Sequence, residues 1–178
     1  MYSLNTRKEF VILDVETLGY LQREDKTVCL VRFDAVKVIN GEIAEKIKIF
    51  GYKDKKKVQY TKTVEKKNKT GEEENALKTP ISSALEQLYA FIGESPVVTW
   101  TNHSTIYDDF DADGESEVVF NNNERFFLAD DLELKLEDFE GYIEDAFDVA
   151  ECLQIPCNRK TTEIVELIYK IMKKIEVI

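Results

Sequence analysis

The chain has 178 residues and a formal net charge of -11, with 43% hydrophobic and 11% aromatic residues. That length and apolar content suit one folded domain over residues 1–178 and exclude wholesale disorder; the acidity argues against a protein that coats nucleic acid over its whole surface. No apolar stretch approaches the ~20 residues that a membrane-spanning helix needs, and Met1-Tyr2-Ser3-Leu4-Asn5 lacks the basic-then-apolar order of a leader, so the expectation is a soluble cytoplasmic protein without a membrane partner.

The first element is the apolar run Phe10-Val11-Ile12-Leu13, which reads as a strand covered on both faces over Phe10 to Val15. It delivers Asp14 and Glu16 to its end. Residues two apart on a strand face the same side, so the two carboxylates can point together at one divalent cation. Asp-x-Glu recurs at Asp113/Glu115, Asp131/Glu133 and Asp138/Glu140, as an acidic chain will produce, but only the first copy has the apolar lead-in.

Val28 to Val38 and Ile43 to Phe50 alternate apolar with polar residues around Asn40-Gly41, a strong hairpin signal. Next comes a lysine-rich segment with Lys53, Lys55, Lys56, Lys57, Lys62, Lys66, Lys67 and Lys69. It reads either as a solvated loop or as a phosphate-contacting arm, with Tyr52 and Tyr60 available to stack. Thr79-Pro80 opens a helix whose Ile81, Ala84, Leu85, Leu88 and Ile92 share a face and which Gly93 stops. Pro96 to Trp100 is a further strand, and Phe126-Phe127-Leu128 a short last one. Two helices follow, from Tyr142 to Leu153 and from Thr161 to Ile175, the second carrying Ile164, Leu167, Ile168, Ile171 and Ile175 at helical spacing. The order implies an α/β fold, a mixed sheet with an antiparallel N-terminal meander flanked by helices.

Other features have plainer explanations. Cys29, Cys152 and Cys157 are odd in number and lie in or beside apolar stretches, so buried reduced thiols are expected. Asp109 to Gly114 resembles the opening of a calcium loop, but Phe120 stands where a bidentate Glu belongs, and an acidic loop is the better reading. Trp100, Phe126, Phe127, Phe139, Tyr142 and Phe147 offer faces that could stack bases, but aromatics in strands and on helix faces read first as core.

Asp14-Val15-Glu16-Thr17 after a strand, then Phe33 to Ile43 through Asn40-Gly41, then a helix leading into Pro96 to Trp100, resembles the DEDD 3'-5' exonuclease superfamily. The resemblance runs from Phe10 to about Lys173. It implies a ribonuclease H-like fold and four carboxylates holding two Mg²⁺ or Mn²⁺ ions for phosphodiester hydrolysis on single-stranded or short nucleic acid. Asp14 and Glu16 match the first motif. In the second, Ser104 or Thr105 occupies the acid's place, and Asp108 is one helical turn further on. In the third, Glu163 stands at the acid position and Asn158 where the family has its histidine base; an amide cannot accept a proton near neutral pH.

The resemblance thus implies Asp14, Glu16, Asp108 and Glu163 as catalytic metal ligands, and Thr17, Leu18, Trp100, His103 and Asn158 as nucleic-acid contacts. His103, the only histidine, is either a displaced base or an ordinary hydrogen-bonding residue. The missing base leaves a second expectation open: an inactive exonuclease-like domain that binds a protein or nucleic-acid partner through its acidic 108–151 region or its lysine segment.

Overall fold

A computed structural model describes residues 7–22, 26–56, 71–100, 123–133 and 145–175. Three long strands come first, β1 (Glu9–Gln22), β2 (Lys26–Ile39) and β3 (Glu42–Lys56). The helices α1 (Gly71–Ala76) and α2 (Ile81–Ile92) follow, then the short strands β4 (Val97–Thr99) and β5 (Arg125–Phe127). Three helices complete the described order: α3 (Leu128–Glu133), α4 (Ala146–Cys152) and α5 (Ile164–Lys174).

The five strands form one mixed sheet in the order β3-β2-β1-β4-β5, with an antiparallel meander at its start. Asn40 and Gly41 have φ of 51° and 79°, the paired left-handed conformations of a tight hairpin turn. On its other side β1 pairs in parallel with β4, Val11 opposite Val97 and Ile12 opposite Val98, and β4 pairs in parallel with β5. Helices flank the sheet, as the sequence implies.

The chain divides into two compact units. The first comprises Met1–Asp14, Ala35–Lys46 and Glu94–Ile178. Its core joins Phe10 and Ile12 to Val36, Val38, Val98 and Phe126, beneath α4 and α5. On α5, Val165, Leu167, Ile168, Ile171 and Met172 are buried, and Ile164 and Ile175 pack at the margin. This is the helical repeat read from sequence, with Val165 and Met172 widening the apolar stripe. Val11 and Leu13 are buried as well, which accounts for the unbroken apolar run.

Helix α5 is also tied to the hairpin tip. The Tyr169 hydroxyl donates to the Gly41 carbonyl at 3.0 Å, Lys173 Nζ lies 2.7 Å from Glu42 Oε1, and Lys46 pairs with Glu166. The bonds from Lys173 and Tyr169 hold the Glu42 carboxyl below its ordinary range.

The second unit comprises Val15–Asp34 and Ile47–Gly93. Ile81, Ala84, Leu88 and Ile92 form the buried face of α2; Leu85 is half-buried at its edge. Gly93, at φ 58°, ends the helix by donating its N–H to Tyr89 O at 2.8 Å. A Cβ on Gly51 would lie only 2.9 Å from Ala84 Cβ, so the glycine lets α2 seat directly on β3. A smaller cluster gathers Leu21, Val28, Leu30 and Ala76, with Leu18, Phe50, Tyr52 and Leu77 packed against it.

Several boundaries differ from the sequence reading. Strands β1 and β3 run on to Gln22 and Lys56, through Gly19 and through Gly51-Tyr52-Lys53-Asp54, which break the apolar alternation. Leu128 begins a helix, because the Ala129 N–H turns to the Trp100 carbonyl at 2.8 Å and Leu128, Ala129 and Leu132 bury together. Helix α4 begins at Ala146, where the Asp145 side chain accepts the Phe147 N–H; residues 142–144, where the sequence placed its start, lie outside the described residues. Cys29 is buried, but Cys152 and Cys157 are exposed: they border apolar residues in sequence while lying on the last turn of α4 and in the loop after Pro156. All three are free thiols. Among the described residues, no helix is long and apolar enough to cross a membrane.

Candidate functional site

In open sheets with parallel strands, ligands settle beyond the carboxyl ends of the strands, where the strand order reverses direction. Strand β1 is central here, with the meander on one side and the parallel pair β4 and β5 on the other. Asp14 lies two residues past Ile12, the last residue in register with β4, and is half-buried. The pleat gives it the same side as Phe10 and Ile12, the side on which α4 and α5 pack.

Glu16 is engaged by a cation. Arg32 Nη2 lies 2.5 Å from Glu16 Oε2, Nε lies 2.6 Å from Asp34 Oδ2, and Nη1 lies 2.9 Å from Glu72 Oε2. Lys48 Nζ adds longer contacts, 3.6 Å to Asp34 and 4.0 Å to Glu72. The side chains are unequally accessible: Asp34 is 6% exposed, Arg32 18% and Glu16 52%. A buried carboxylate must be paired, so Asp34 and Arg32 are the fixed centre of the group and Glu16 is its outer member. Burial works to lower the Arg32 pKa, but the charges of Asp34, Glu16 and Glu72 outweigh it and raise the value further. Sequence reasoning missed this network. Its only local signal was Arg32-Phe33-Asp34, two charges on one face of an otherwise apolar strand.

Asn158 and Glu163 occupy the entry to α5. Glu163 is the residue preceding the helix, half-buried, and its carbonyl accepts the Leu167 N–H at 3.0 Å. Asn158 shapes the turn before it: its side-chain oxygen accepts the Lys160 N–H at 2.9 Å, while its carbonyl accepts the N–H groups of Thr161 and Thr162. The Asn158 amide therefore has a local backbone role.

Of the remaining expected contacts, Thr17 is half-buried, Leu18 packs on the Leu21–Ala76 cluster, and Trp100 is 9% exposed within the core of the first unit. Asp108 and His103 lie outside the described residues, as do the acidic loop at 109–120 and most of the lysine segment. Among the described residues, no group of three or more His, Cys, Asp or Glu side chains is placed to hold a metal.

A second charged group lies in the first unit. Arg159 pairs with Asp145 at 2.7 Å and with Asp148, and its guanidinium lies 5.1 Å from the Phe147 ring centre. Burial pushes the Asp145 carboxyl up, but the Arg159 bond and the Phe147 N–H outweigh it and hold the group below its ordinary range. Phe147, Glu151, Ile155, Pro156, Cys157 and Arg159 line a cleft of about 480 Å³ here.

No protein-family model matches the chain, and a search of curated proteins finds no relative.

Proposed function

We propose that the chain is a cytoplasmic 3'-5' exonuclease-like protein of ribonuclease H-like fold that hydrolyses phosphodiester bonds in single-stranded or short nucleic acid. The observation that carries this reading is the placement of Asp14 on the central strand β1, two residues past the end of its parallel pairing with β4, with Glu16 two residues further along the same strand. The mixed sheet with its antiparallel start agrees with the expected fold, and three free thiols suit a reducing compartment.

The donor chemistry suits Mg²⁺ or Mn²⁺, since both acids offer hard oxygens. The resemblance implies Asp14, Glu16, Asp108 and Glu163 as the acids around such an ion, while among the described residues no three such side chains gather to hold one. When bound, such ions activate water and offset charge on the leaving oxygen. Neither Asn158 nor Arg159 takes a proton near neutral pH, so no conventional base comes from that turn. Glu16 must also exchange Arg32 for the cation.

That last requirement favours a second reading, an exonuclease-like domain without catalysis that serves as a protein or nucleic-acid interaction module. A guanidinium already compensates Glu16, at 2.5 Å. One assay separates the two. Mn²⁺ binding and degradation of end-labelled oligonucleotides are measured for the chain and for Asp14→Ala/Glu16→Ala. The enzyme reading expects both properties in the parent and neither in the double variant. Binding without hydrolysis selects the module, and hydrolysis that survives the double substitution rejects these residues as the site.

A further inference from the structure

We infer that the cleft at the carboxyl end of α4 is a docking site for a short peptide segment of a partner protein, one that carries an aliphatic residue beside a basic one. Such docking needs neither the exonuclease activity nor a metal, and every residue involved lies in the first unit. The cleft encloses about 480 Å³, room for roughly two or three side chains rather than for a folded domain. Phe147, Ile155 and Pro156 form its apolar wall.

That wall is fixed before a ligand arrives. Phe147 and Ile155 both pack against the core beneath α4 and α5. The helix end is closed by the Gln154 N–H donating to the Glu151 carbonyl at 3.0 Å and the Ile155 N–H donating to the Ala150 carbonyl at 2.8 Å, with Gln154 at φ 57° making the reversal. A preformed surface spares a ligand the cost of ordering it.

Charge at the rim selects the ligand. Asp145, Asp148 and Glu151 recur every third residue, a spacing that sets them along one side of α4. Arg159 meets the first two and lays its guanidinium on the Phe147 ring. Among the described residues, Glu151 has no ionic partner, and it stands exposed at the cleft. The uncompensated charge is therefore negative, which attracts a cationic side chain and repels the phosphates of a nucleic acid.

The test uses a labelled tetrapeptide, acetylated and amidated, that holds one leucine beside one arginine and is titrated into the full chain by fluorescence anisotropy. Replacing its arginine by glutamate is expected to abolish binding, and replacing its leucine by alanine to weaken it about tenfold. Glu151→Lys should weaken the arginine peptide by more than the roughly fivefold worth of an exposed ion pair, and should admit the glutamate peptide. Glu45→Lys, at an exposed acid on β3, is the control for net charge and should change little.

The two exposed thiols give a second readout in the unaltered chain. Cys157 lines the cleft and Cys152, on the last turn of α4, does not, so saturating peptide should slow alkylation of Cys157 by iodoacetamide several-fold and leave Cys152 as it was. No binding of the arginine peptide, equal losses from Glu151→Lys and Glu45→Lys, or equal rates of protection at both thiols would each overturn the inference. So would a single-stranded oligonucleotide that protects Cys157 at lower concentration than the peptide does.

Discussion

Two arginines each hold more than one carboxylate, Arg32 gathering Asp34, Glu16 and Glu72 and Arg159 gathering Asp145 and Asp148, yet they do different work. Arg32 sits on a central strand of the meander, 18% exposed, against an Asp34 that is almost wholly buried; Arg159 lies in a loop, 57% exposed, and reaches Asp145 and Asp148 at the start of α4. Similar contacts differ in value because solvent competes for the second guanidinium and hardly reaches the first. The Arg32 group is a fixture of its unit, whereas the Arg159 group trims one end of a helix.

The largest expected effect follows from the buried group. Arg32→Ala leaves Asp34 with Lys48 as its longer-range partner and should cost about 3 kcal/mol in urea denaturation. Adding Asp34→Asn removes the buried charge that Arg32 no longer balances, so the double variant should recover more than half of that loss. If the two substitutions instead add, the contrast between the regions disappears.

At the exposed group the capping bond matters more than the ion pair. Asp145→Ala deprives α4 of the acceptor for the Phe147 N–H and should cost about 1 kcal/mol. Arg159→Ala leaves that cap in place and should shift the thermal midpoint much less. An Arg159 effect as large as that of Asp145 would mean that the loop ion pair, not the cap, starts the helix.

The smallest effect is a pH dependence. Because the Asp145 carboxyl is depressed in the folded chain, its contribution is fully present above the ordinary aspartate value of about 4 and is lost as pH falls through the depressed value. The stability difference between the parent and Asp145→Asn should therefore narrow on acidification below about pH 4 and stay flat above it. A difference that grows on acidification would contradict the assigned direction.

What could be read from sequence was written locally. Phe10 to Leu13, the Asn40-Gly41 turn and the helix between Pro80 and Gly93 each carry their signal within a few residues. The ends of β1 and β3 were not legible, because ladder pairing carries those strands past the point where apolar alternation stops. Nor was α1, whose Gly71-Glu72-Glu73-Glu74-Asn75-Ala76 offers one apolar residue, Ala76, to bury. The candidate site divides in the same way. Asp14 and Glu16 announced themselves by spacing, while the cation that engages Glu16 lies in the next strand and its other partner, Glu72, on a helix far along the chain. Exposure of Cys152 and Cys157 was hidden for a related reason: neighbouring apolar residues in sequence do not decide which side of a turn a thiol takes.

The bond from Tyr169 to the Gly41 carbonyl joins residues 128 apart. A ribosome releases the β2–β3 hairpin long before it makes the helix that latches the hairpin's tip, so during synthesis these strands wait with that anchor missing. Tyr169→Phe would leave the finished fold lacking the same anchor, and amide exchange at the tip would report how much the late-made helix steadies what was made first.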